Sequence, residues 1–180
     1  MPRTGNFLHR ILKEPYVLWL RLKTLFYNSN LKTRGNLNMF TYSAKVKRVI
    51  DGDSVVFEWV DLGLHTFIHN ESCRLFAIDT AEKRGGSKET KALGILATEF
   101  VQDRLPAGKE VIIKTELDRA GKFGRILATI YHQGLSKKSL NKLLIERKLA
   151  VPYHGQSKTE LLPLHMANYR HWQKTIEKKG

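Results

Sequence analysis

The sequence predicts an α+β fold: a small closed barrel of five strands with about three packed helices, preceded by an N-terminal basic extension. Three observations lead there. From Thr41 onward, five short runs of alternating or β-branched apolar residues are separated by turn residues. One helix-length run with apolar residues three and four apart divides the third strand from the fourth, and two more follow the fifth. The composition also changes near Met39: residues 1–39 carry seven Lys/Arg against the single acid Glu14, while the remaining 141 carry 24 against 16. The chain therefore divides into an extension and linker, 1–40, and a folded domain, 41–180.

The first two strands, 43–50 and 54–60, flank Asp51-Gly52-Asp53 in the stretch KRVIDGDSVVFEW. Asp-Gly supplies the positive φ angles of a two-residue hairpin turn, so on this stretch alone a turn explains both aspartates. ESCRLFAID (71–79) reads as one third strand, with Cys73, Leu75 and Ala77 on one face and Arg74, Phe76 and Ile78 on the other. Residues 89–104 form a helix that points Leu93, Leu96, Ala97, Phe100 and Val101 at the core, and Pro106-Ala107-Gly108 closes it. EVIIKTEL and GRILATIYH are the fourth and fifth strands, separated by DRAGKF. A helix carrying Leu140, Leu143 and Leu144 on one stripe follows, then a last helix within 159–178 whose start Pro163 limits. The order β-β-β-α-β-β-α-α fits a barrel of the oligonucleotide-binding (OB) type, a fold whose face binds nucleic acids and sugars.

Within the extension, EPYVLWLRLKTLFY (14–27) reads as a helix opened by Pro15, and NSNLKTRGNLN as a polar linker. Four roles stay open. The segment is a helix packed on the domain, an anchor on an anionic membrane surface through residues 7–27, an acid-poor targeting peptide, or sequence upstream of a start at Met39. Arg21 and Lys23 interrupt the apolar stretch and argue against a secretory signal. Localisation follows whichever holds: cytoplasmic, or exported, organellar or membrane-surface. No run of 18 apolar residues occurs.

With a formal charge of +14 and a pI near 10.0, the chain favours polyanionic partners, nucleic acid before a membrane surface. An apolar fraction of 42% is enough for a core. Cys73 is the single cysteine, so neither an intrachain disulfide nor a cysteine zinc site can form, and it is expected to pack as a small hydrophobe. His65 and His69 are four apart but lie in a hairpin with no cysteine or third histidine nearby, and they read as a solvent-facing pair. Trp19, Trp59 and Trp172 read as packing residues.

Acids are scarce, so their positions are informative. Asp53 opens the second strand, Asp79 and Glu82 flank the end of the third in RLFAIDTAEKRG, Arg74 lies on that strand, and Arg125 opens the fifth. Phosphodiester hydrolysis asks for this set. Hard oxygens hold a divalent cation, a carboxylate positions water, and planar guanidinium donors receive the charge developing on phosphate.

The blocks VIDGDSV, RLFAIDTAE, DRAGKFGRILATIY and KLAVPY, in this order, resemble the staphylococcal nuclease family over roughly residues 42–178. That resemblance implies Asp53 and Asp79 as calcium-binding carboxylates, with Thr80 offering its carbonyl to the metal. It implies Glu82 for the attacking water, and Arg74 and Arg125 for phosphate. Lys122 and Phe123 fall where the family meets a terminal phosphate, and Tyr153 near an aromatic lining the base pocket. The implied activity is a calcium-dependent endonuclease, acting as a monomer on DNA and/or RNA with little sequence preference and leaving 3′-phosphate ends. Several positions depart from the family pattern. Ser54 stands for threonine, Phe123 for tyrosine with a hydroxyl lost to phosphate, and Ala81 for a proline that would stiffen the loop before Glu82. The 61–72 hairpin is longer, and Asp51 is left as a turn residue or an outer neighbour of the metal. The alternative is a catalytically silent nuclease-like module that binds nucleic acid. Against it, such a module has no reason to keep two metal-ligand acids and Glu82 in a basic cleft, where they repel phosphate.

Overall fold

The computed structural model describes residues 40–116, 126–131 and 138–178. The helix expected at 14–27, the candidate membrane segment 7–27, and Lys122, Phe123 and Arg125 lie outside the described residues. Those described belong to one unit, Phe40–Gly180. No described helix is long and apolar enough to cross a membrane.

Five strands close the barrel in the order β1-β2-β3-β6-β5: β1 (Thr41–Asp51), β2 (Ser54–Gly63), β3 (Thr66–Leu75), β5 (Glu110–Glu116) and β6 (Ile126–Tyr131). All neighbours are antiparallel except β3 and β6, which run parallel with Cys73 opposite Ile126 and Leu75 opposite Ala128. Alternation fills the interior with Ala44, Val46, Val55, Phe57, Cys73, Leu75, Val111, Ile113, Ala128 and Ile130. Three register shifts along β1 curl it enough to pair with both neighbours. The helices α1 (Lys88–Arg104), α2 (Leu140–Glu146) and α3 (Lys158–Glu177) pack around this core. α1 contributes Leu93, Ala97 and Val101, as its spacing predicts. Ser87, Ser139 and Ser157 cap the three helices, Ser157 in a reciprocal capping box with Glu160.

The expected single strand 71–79 is two strands. The backbone breaks at Phe76-Ala77, where Ala77 takes φ 60°, and β4 (Ile78–Thr80) leaves the barrel to pair with β7 (Ala150–Pro152). The expected alternation holds as far as Phe76, which is exposed opposite buried Cys73 and Leu75, but the break turns Ile78 from Phe76's face into the core. Its polar groups find partners elsewhere: Phe76 N–H donates to Ala128 O, Asn141 Nδ2 donates to Phe76 O, and Tyr153 N–H donates to Ala77 O.

Two further expectations change. The hairpin after β2 turns at Leu64 and His65, both with positive φ (51° and 60°), so these strands run longer than the alternation suggests. α3 runs through Pro163. The proline sits near the helix start, where the capping box fixes the first turn and only one backbone bond is forfeited.

Candidate active site

β1 and β2 meet at Gly52-Asp53, as the sequence predicts, but the reason for the glycine differs. Gly52 is not among the positive-φ residues. A Cβ built there would lie 2.9 Å from Ala97 Cβ and from Thr80 Cγ2 and Oγ1. Glycine lets the turn press against α1 and β4, which brings Asp53 beside Thr80. Leu75 N–H then donates to Asp53 O at 2.8 Å, tying this turn to the end of β3.

Asp53, 5% exposed, therefore lies beneath a small cleft of about 40 Å³ lined by Asp51, Asp53, Arg74, Asp79, Thr80, Ala81 and Glu82. That is room for an ion or a few waters, while a nucleotide would have to lie across the mouth. Ser54 Oγ donates to Asp53 Oδ1 at 2.9 Å, so the serine here retains the hydroxyl that a threonine would supply. Arg74 enters from β3 with Nη2 3.0 Å from Asp53 Oδ2 and 2.7 Å from Asp79 Oδ1. Tyr153 stands over the same guanidinium, with the ring centroid 5.9 Å from Arg74 Cζ.

Burial pushes the Asp53 carboxyl up to about 7 against the pull of Arg74, and Asp51 adds to the rise. Asp51 Oδ1 is buried with no hydrogen-bond partner. With Glu82 offset by Lys158, fully ionised Asp51, Asp53 and Asp79 against the one guanidinium of Arg74 leave this cleft with two excess negative charges. An oxygen-only donor set with an unmet buried carboxylate oxygen fits a hard divalent cation. Among the described residues no three acidic, imidazole or thiol groups gather around one point as a preformed cage. The guanidinium of Arg74 stands between the two carboxylates instead.

Glu82 sits at the rim on the segment after β4. Its Oε1 accepts from Lys158 Nζ at 3.0 Å, and the contact raises the lysine pKa. Both side chains are largely exposed, and such pairs contribute about 0.2–1 kcal/mol. Glu82 is thus easily released. The segment itself is held more firmly. Ala81 is buried, and its carbonyl passes so close to Gly94 of α1 that a Cβ there would come within 2.3 Å. Lys83 Nζ donates to Ile50 O on the far side. Burial and close packing secure the loop that a proline would otherwise stiffen.

Six of the residues singled out from sequence are thus brought together: Asp53, Arg74, Asp79, Thr80, Glu82 and Tyr153. Sequence reasoning missed His165, whose Nε2 lies 3.0 Å from Asp79 Oδ2. It also missed Gly94, which seats the Glu82 segment. The available signals were a histidine four residues after Leu161 on the core-facing stripe of α3, and a glycine in the interior of α1. His65 and His69 stay exposed on the hairpin.

The family model described as staphylococcal nuclease homologue matches residues 72–179. Among curated proteins none matches the chain. The matched span holds Arg74, Asp79, Thr80, Glu82 and Tyr153, and the β1–β2 turn delivers Asp53 to them from outside it.

Proposed function

Because the chain belongs to the staphylococcal nuclease homologue family, we propose that it is a calcium-dependent nuclease acting on DNA and/or RNA. One observation carries the reading: Asp53, Arg74, Asp79 and Glu82, from three separate chain segments, converge on a single small cleft in a strongly basic protein. Asp53, Asp79 and Thr80 would hold the ion. When bound, calcium supplies positive charge to the phosphate oxygens.

The chain's own groups do the rest. Arg74 leaves its carboxylates for the phosphate, where its planar fork matches two oxygens as negative charge grows on them. Arg125 is assigned the same task by its match to the family motif. Glu82, at the mouth and freed from Lys158, orients a water for attack on phosphorus. The bond to the 5′ oxygen breaks, leaving a 3′-phosphate and a 5′-hydroxyl. Tyr153, beside Arg74, offers a ring face to an adjoining base. Lys122 and Phe123 are assigned to a terminal phosphate, and the excess basic charge raises the local concentration of polyanion.

The test is hydrolysis of single- and double-stranded DNA and of RNA in calcium and in chelator, with Glu82→Gln alongside. Calcium-dependent cleavage that is lost in Glu82→Gln is expected. Salt-sensitive binding without cleavage would replace the nuclease with a silent nucleic-acid-binding module.

A further inference from the structure

We propose that His165 is the positioning residue of this site, holding the Asp79 carboxylate in the orientation that receives the cation. The inference rests on the reading of Asp79 as a metal ligand.

α3 has just two buried residues, Leu161 and His165, one turn apart on the same face. A leucine at the second position would satisfy packing alone. The imidazole does something a leucine cannot: Nε2 meets Asp79 Oδ2 at 3.0 Å with 7% of the side chain exposed. Nδ1 is buried with no partner. A buried lone pair without a donor is tolerated better than a buried N–H without an acceptor. A hydrogen on Nε2, donated to Asp79 Oδ2, with the lone pair left on Nδ1, is therefore the tautomer that fits.

Asp79 is thus gripped on both oxygens, Oδ1 by Arg74 and Oδ2 by His165. The two grips differ in kind. Arg74 must let go when it turns to phosphate, whereas His165 sits inside the protein on a capped twenty-residue helix and stays. With His165 in place, the carboxylate keeps its rotamer when the guanidinium leaves and Oδ1 faces the cleft alone. Outer partners of metal ligands fix orientation in this way, and losing one costs about 10- to 100-fold in metal affinity or activity.

The test uses the full chain and terbium luminescence with calcium competition, so cation affinity is read without turnover. His165→Leu is expected to bind about 10- to 100-fold more weakly, and His165→Gln, whose amide can still donate, to recover most of that loss. Equal affinity in wild type and His165→Leu overturns the proposal while leaving the nuclease reading intact. Absence of cation binding by wild type overturns both. If His165→Leu does not fold, long-range proton–nitrogen spectra of the wild-type ring decide. A protonated Nε2 and bare Nδ1, unchanged on calcium saturation and perturbed by Asp79→Asn, support the proposal, and the opposite tautomer overturns it.

Discussion

Arg74 reaches across the break between β3 and β4 to place Nη2 2.7 Å from Asp79 Oδ1, so one cation of the protein's own holds the acidic cleft together. Two consequences follow for Arg74→Ala. Without the guanidinium, buried Asp53 and half-buried Asp79 lose their counter-charge, and an uncompensated buried charge is costly. In chelator the variant should melt below wild type, and calcium should raise its melting temperature by more than it raises that of wild type. With substrate, the lost phosphate donor should lower turnover about 10²- to 10³-fold. Thermal melts with and without calcium, and single-turnover cleavage, check the two parts separately. Near-normal turnover would remove Arg74 from the phosphate site.

Asp53 makes the metal-free protein sensitive to pH in a defined direction. Burial raises its folded value from 3.8 to about 7. Between those limits the folded chain keeps a proton that the unfolded chain releases. The contribution of this group is therefore fully present below pH 4 and lost as pH rises through 7. Asp53→Asn has no such proton to lose. Subtracting its chelator-state unfolding free energies from those of wild type, measured between pH 4 and 8, should leave a term that declines with pH. A flat difference would place Asp53 in wetter surroundings than the cleft provides.

Cys73 carries the same physics at a neutral group. It is 1% exposed, and burial pushes its thiol up to about 12. Since the thiolate is the reactive form, a native-state thiol probe at pH 8 should leave Cys73 unmodified for as long as the barrel is closed. The same probe should label it at once in denaturant. Rapid labelling of native protein would mean that the barrel opens between β3 and β6.

The barrel was legible because its signals are local. Alternation in 43–50, 54–60, 110–116 and 126–131 and the three-four spacing of Leu93, Ala97 and Val101 read directly as buried faces. Asp53, Arg74 and Asp79 were legible for a different reason: a carboxylate or arginine at a strand end, in a chain short of acids, has few structural uses. What stayed hidden depends on contacts between segments far apart in sequence. Ala77 adopts φ 60° because β6, Asn141 and Tyr153 capture the backbone groups around it, and nothing within 71–79 announces that. Gly52 looked like a residue chosen for its torsion angle, yet it is there for the approach of Thr80 and Ala97. His165 meets Asp79 across 86 positions, a distance no spacing rule spans.

Gly94 offers the sharpest separation of fold from catalysis. It lies inside α1, where alanine would normally improve helix stability by roughly 0.5–1 kcal/mol. Here the added methyl would stand 2.3 Å from Ala81 O and 2.7 Å from Glu82 C and Lys83 N, all backbone atoms that cannot step aside singly. The 81–83 segment must move outward, away from Ala97 and the core, or α1 must shift. Overpacking of this kind costs about 1–3 kcal/mol, enough to reverse the propensity gain. Glu82 rides on the displaced segment, and a misplacement of about 1 Å at a reacting group can cost ~10²-fold in rate. Gly94→Ala should therefore melt lower than wild type and lose about 10²-fold in cleavage rate, while Asp53, Arg74 and Asp79 keep their places and cation affinity changes little. Measuring terbium affinity beside turnover tells the two effects apart. A parallel fall in both would mean that the helix moved and carried the whole cleft with it. Unchanged turnover would detach Glu82 from the attacking water.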